Sequence, residues 1–116
     1  MKRILSCFAL LSLLLTGCAG KRDQTLVGTW VNAGQYADGK DFVETLILRE
    51  DGTITVHLDY QGRDYASLDG VWRTEDDVLT VDFTDPNVRD RTYTYTLSGD
   101  TLILAGDEKT VEYSRK

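Results

Sequence analysis

From Leu26 onward, apolar and polar residues alternate with period two, and turn residues interrupt the alternation every 8–12 positions. That is the pattern of short strands lying half-buried against a core. It predicts strands over 26–31, 42–49, 53–60, 65–74, 78–84, 88–97, 101–105 and 109–115. Ile54, Val56, Leu58 and Tyr60 share one face of the third strand, and Thr53, Thr55, His57 and Asp59 share the other. In the sixth, Tyr93, Tyr95 and Leu97 oppose Thr92, Thr94 and Thr96. Glu50-Asp51-Gly52 and Gln61-Gly62-Arg63-Asp64 supply turn chemistry, and the one Pro, Pro86, falls outside every predicted strand. Gly70 interrupts a long strand and is expected to mark a bulge or a tight bend. Connections this short make neighbours antiparallel, because parallel strands need crossovers of about a dozen residues. The expected fold is all-β: an eight-stranded antiparallel up-and-down barrel, closed so that no sheet edge is left bare.

The first 17 residues belong to a different pattern. Met1-Lys2-Arg3 is positive, and residues 4–15 form an apolar run, too short for the roughly 20 residues that span a bilayer. Leu15-Thr16-Gly17-Cys18 follows and resembles the lipobox of bacterial lipoproteins. The resemblance implies a cleaved signal peptide (1–17), a lipidated Cys18 carrying acyl chains such as palmitate, and a short tether (18–25) before the barrel domain (26–116). It also implies a place in the cell envelope, on the outer side of the cytoplasmic membrane or on the outer membrane. Ala19, in the position after the Cys, favours the latter in a host with two membranes. Lys21 and Arg22 are placed to meet anionic headgroups.

Charge narrows the chemistry. The formal net charge is −6, and removing Lys2 and Arg3 with the leader leaves −8. Such a chain has no footprint for nucleic acid, which needs clustered Lys and Arg. Cys7 lies inside the leader, so Cys18 is the one Cys of the mature chain and His57 its one His. Thiol catalysis, disulfides and Cys/His metal sites are therefore not expected. No nucleophile elbow, calcium loop or glycine-rich phosphate loop occurs. The carboxylate pairs Glu50/Asp51, Asp76/Asp77 and Asp107/Glu108 fall in predicted turns, where water solvates both members. The expectation is no enzyme, no cofactor and no metal, with His57 turned to solvent.

Leu26-Val27-Gly28-Thr29-Trp30, opening an eight-strand meander, resembles the lipocalin-like group of small β-barrel domains. The resemblance implies that Gly28 lets the first strand bend. It implies too that Trp30 plugs the closed end, and that Arg115 lies over the indole in a cation–π contact. The second lipocalin motif, T-D-Y, is absent. A short echo, Gly70-Val71-Trp72, recurs 42 residues after Gly28-Thr29-Trp30.

Two functions stand on these observations. One is a binding module holding a small apolar or amphipathic ligand, such as a lipid, against the inward aromatics Tyr60, Trp72, Phe83, Tyr93, Tyr95 and Tyr113. The Tyr side chains offer an apolar body with a hydroxyl tip. In a barrel of this size the same residues also suffice to fill a dry core. The other is a protein-interaction module, inhibitor-like or structural in the envelope, which meets a partner through the acidic outer surface and the loop 33–41 carrying Tyr36.

Overall fold

The computed structural model describes residues 22–116; the leader, Cys18 and residues 19–21 lie outside them. After a 3-10 turn at Gln24–Leu26 come β1 (Gly28–Gln35), β2 (Asp41–Leu48), β3 (Thr53–Tyr60), β4 (Arg63–Glu75), β5 (Val78–Phe83), β6 (Arg91–Ser98), β7 (Thr101–Ala105) and β8 (Thr110–Arg115). Each strand pairs antiparallel with the next, and β8 returns to β1 through Trp30↔Arg115 and Val31↔Ser114. The Lys116 amide donates to the Thr29 carbonyl at 2.9 Å and extends this seam. The barrel is closed.

Several expected boundaries move, each for a local reason. Leu26 does not join the first strand. Its turn is capped by the Asp23 side chain, which accepts from the Thr25 amide, and β1 starts two residues later. β1 then runs on to Gln35, because Asn32 to Gln35 pair in register with Glu44 to Asp41. The polar loop shrinks to residues 36–40. At the other end of the chain's middle, Val88 to Asp90 stay out of β6. The Asp85 carboxylate accepts from the Asn87 amide and the Asp85 carbonyl from the Val88 amide, which ties these residues into a turn.

The bulge is not at Gly70. It lies between β3 and β4, where the register jumps from Leu58↔Ala66 to Asp59↔Asp64 and leaves Tyr65 without a partner. Gly70 serves close packing instead: a Cβ there would collide with the Asp82 carbonyl oxygen and lie 3.0 Å from the Phe83 Cα of β5. The β3–β4 turn is tight because Gln61 and Gly62 both take positive φ, 55° and 79°, as a two-residue hairpin of type I′ requires.

The two ends of the barrel are built differently. At the floor, the β2–β3, β4–β5 and β6–β7 turns meet the N-terminal segment. Trp30, Trp72, Leu26, Leu48, Ile54, Leu79 and Leu102 are all essentially inaccessible, so the core sits in this half. Both G-x-W tryptophans belong to it. Trp30 Nε1 donates to the Leu26 carbonyl at 2.9 Å, and Trp72 Nε1 to the Arg49 carbonyl at 3.0 Å. The segment 22–27 is docked across this floor rather than hanging free. The Asp23 amide donates to Thr74 Oγ1 at 2.7 Å, and Tyr95 Oη donates to Asp23 Oδ2 at 2.9 Å. Arg22, expected at lipid headgroups, folds back onto the β2–β3 turn with its guanidinium against Gly52. At the opposite end, the β1–β2, β3–β4, β5–β6 and β7–β8 connections ring an open mouth.

Candidate functional site

The interior changes character between floor and mouth. In β2 the inward positions are Phe42, Glu44, Leu46 and Leu48; in β6 they are Arg91, Tyr93, Tyr95 and Leu97. A carboxylate and a guanidinium thus stand on faces otherwise given to apolar side chains, both towards the mouth. β8 brings Tyr113 between them. Tyr113 Oη donates to Glu44 Oε1 at 2.8 Å. Burial, and secondarily the Glu44 charge, push the Tyr113 hydroxyl far above the usual phenol range, so it remains a donor at neutral pH. Interaction with the Tyr93 hydroxyl, and then with Glu44, raises Arg91 above its ordinary value and keeps it cationic. The Arg91 guanidinium also lies 5.8 Å from the Phe83 ring centroid.

Two spaces meet at this group. Beneath it, enclosed by apolar side chains such as Ile54, Val56, Leu79 and Val81, is a void of about 40 Å³, enough for a water or two and not for a hydrocarbon chain. Above it, a cleft of about 870 Å³ runs over the rim between the β5–β6 and β7–β8 connections, within the range of small-molecule sites. Glu44, Arg91, Tyr93, Leu104 and Tyr113 border both spaces.

The six aromatics read from the sequence are divided by the structure. Phe83, Tyr93 and Tyr113 line the void, and the latter two line the cleft as well. Trp72 is packed into the floor, and Tyr95 seals it with a hydroxyl that donates to Asp23 Oδ2 and lies 3.2 Å from the Asp76 carbonyl oxygen. Both lie away from the two spaces, because their strands have already descended to the turn end at those positions. Tyr60 belongs to a third place, a chain of tilted rings at the rim. Tyr36 and Phe42 are 4.7 Å apart, Tyr36 and Tyr60 5.7 Å, and Tyr60 and Tyr65 5.8 Å. Tyr36 and Tyr65 are the exposed ends of that chain, at 44% and 70%. Glu44 and Arg91 are absent from the residues singled out in the sequence. Their signal was legible there, as a charge of each sign at an inward position of an alternating strand.

At the floor, the barrel-closing residues are in contact. Gly28 has φ 145°, and a Cβ at this position would lie 2.8 Å from Arg115 Nη1. The Arg115 guanidinium carbon is 4.2 Å from the Trp30 ring centroid. A profile of the lipocalin-like domain matches residues 26–104, about two thirds of the chain. The protein belongs to the lipocalin-like domain family. No curated protein matches it. The lipocalin-like assignment agrees with the closed eight-stranded antiparallel barrel.

His57 departs from simple exposure. It faces outward from β3, but its Nε2 lies 3.1 Å from Asp59 Oδ1 and 3.2 Å from Asp64 Oδ1. Hydrogen bonding to Asp59, reinforced by the charges of both carboxylates, raises its pKa above the ordinary His value. These three are the residues whose donor atoms converge closely enough to hold a metal ion, all within 4.8 Å of one another among the described residues.

Proposed function

We propose that this protein is a lipid-anchored, non-enzymatic lipocalin-like binding protein of the cell envelope. It takes a small amphipathic molecule at the barrel mouth rather than swallowing a chain. The observation that carries this reading is the convergence of Glu44, Arg91, Tyr93 and Tyr113 where the filled interior opens into the cleft. The ligand's polar group sits among these four. Its apolar part lies against Leu104 and Val111 in the cleft. Both signs of charge at the mouth suit a head group with donors and acceptors, and the shallow void limits how far an apolar foot descends.

The anchor supports an orientation. Three residues separate Cys18 from Arg22, a reach of no more than about 15 Å, and Arg22 lies at the floor. A lipid on Cys18 therefore holds the closed end against the membrane and turns the mouth towards the aqueous side. Native mass spectrometry of residues 19–116, before and after incubation with envelope lipid extract, tests the binding reading. A retained small mass that is lost in Arg91→Ala and kept in Tyr60→Ala is the expected result; a bare polypeptide mass in both samples overturns it.

A protein-interaction reading has one observation in its favour, the exposed rings of Tyr36 and Tyr65 at the rim. Tyr36→Ala with Tyr65→Ala would then abolish capture of a protein partner and leave small-molecule uptake intact.

A further inference from the structure

We propose that His57, Asp59 and Asp64 form a binding site for a single Zn²⁺ ion on the outer wall of the barrel, separate from the mouth. The site is assembled by two features of the sheet. The period of two along β3 puts His57 and Asp59 on the same outward face, two residues apart. The bulge then does what a regular ladder would not. With an unbroken register Tyr65 would stand opposite Asp59; omitting Tyr65 brings Asp64 opposite it instead, on the face where His57 lies. An imidazole and two carboxylates from two strands meet there.

The spacing is that of a coordination shell. His57 Nε2 stands 3.1 and 3.2 Å from the two carboxylate oxygens. Tetrahedral zinc, with bonds of about 2.0–2.1 Å, separates its ligands by about 3.3–3.4 Å. The two carboxylate oxygens lie within 4.8 Å of each other, so an ion draws them together as it replaces the hydrogen bonds that now link the three side chains.

Charge and donor type select the ion. Asp59 and Asp64 together carry two negative charges, and among the described residues their only ion-pair partner is His57. The side chains directly beside His57 on the neighbouring strands are Thr45 of β2 and Ser67 of β4, both uncharged. Neutral imidazole with two carboxylates is a nitrogen–oxygen set suited to Zn²⁺ and poor for Ca²⁺, which takes six to eight oxygens. Asp64 is 88% exposed, so water completes the shell. The ion would staple β3 to β4 across the bulge, just below the rim.

The test is calorimetric titration of Zn²⁺, with Ca²⁺ and Mg²⁺ as controls, into residues 19–116, which include the whole barrel, together with thermal unfolding and NMR of the His57 ring. The expected result is one Zn²⁺ per chain, a Zn²⁺-dependent rise in Tm and shifted His57 ring signals. His57→Ala and Asp64→Asn should each weaken binding by at least about tenfold, the lower end of what loss of an outer-shell partner costs. Asp69→Asn, a nearby outward carboxylate outside the set, should leave binding unchanged. Absence of binding at millimolar Zn²⁺, undiminished binding by His57→Ala, or Ca²⁺ binding as tightly as Zn²⁺ would each overturn the assignment. None of these outcomes depends on whether the mouth holds a ligand.

Discussion

Arg115, the last residue of β8, lies with its guanidinium carbon 4.2 Å from the centroid of the Trp30 indole of β1. Its Nη1 and Nη2 donate to the carbonyls of Val27 and Thr25 at 3.2 and 3.1 Å, and its Nε pairs with Asp100 at 3.3 Å. One side chain therefore joins the closing strand, the first strand, the N-terminal segment and the β6–β7 turn. Trp30 is fully buried beneath it.

Removing that side chain should loosen the floor. Arg115→Ala loses a partly desolvated cation–π contact and two hydrogen bonds to backbone, a destabilisation of about 2 kcal/mol. Arg115→Lys should recover less than half of this, because an ammonium cannot present the planar fork that reaches two carbonyls while stacking on an indole. Urea unfolding of the two variants against wild type measures both values.

Acid should act through Asp23. Its hydrogen bonds, first with the Thr25 hydroxyl and then with the Thr25 amide and Tyr95, hold its carboxyl below the ordinary value of 3.8. A carboxyl whose folded pKa is lowered contributes stability that is present above the unfolded value and is lost as pH falls through the folded one. Wild type should therefore lose more stability than Asp23→Asn on going from pH 5 to below pH 3. Parallel pH curves for the two proteins would show that the Asp23–Tyr95 contact does not hold the N-terminal segment to the floor.

Alkali should act through Tyr113, at the other end. Burial and Glu44 raise its hydroxyl above the ordinary 10.0. The folded state then holds the proton more tightly than the unfolded chain. The stabilisation is complete below about pH 10 and is lost as pH rises from there towards the folded value. Tyr113→Phe should flatten this alkaline decline. At neutral pH it should cost about 1–2 kcal/mol, because Glu44 is left without its donor. Equilibrium unfolding between pH 7 and 11 separates the two effects.

How far the sequence could be read depended on where each signal was stored. The Glu50-Asp51-Gly52 turn was legible because turn chemistry is local, and β3 and β7 fall at their expected bounds. The turn expected over residues 61–64 shortens to Gln61-Gly62 because Arg63 and Asp64 pair with Tyr60 and Asp59. The second half of β1 was not legible. Asn32, Ala33, Gly34 and Gln35 have no alternation of their own and become strand because β2 pairs with them. The bulge was misplaced for a similar reason. Gly70 carries the local mark of an irregularity, whereas the actual slip at Leu58/Asp59 is a property of two strands aligned together.

The candidate site divides along the same line. Alternation alone puts Phe83, Tyr93 and Tyr113 inside, and it also puts Glu44 and Arg91 there. Height along the barrel axis is what separates Tyr93 and Tyr113, which reach the mouth, from Trp72 and Tyr95, which fill the floor.

By itself the sequence determined the side-chain face of most strand residues and the antiparallel order imposed by short connections, while the resemblance to lipocalin-like domains implied the pairing of the G-x-W motif with Arg115. Periodicity and turn chemistry act over a few residues, so one chain suffices to state them. Only the tertiary structure decided the register in which β8 meets β1, that the floor is filled while the mouth is polar and open, and that Asp64 stands beside His57 on the outer wall. These depend on register between strands and on contacts such as Arg115 with Val27, 88 residues apart. Such contacts exist only once the barrel has closed.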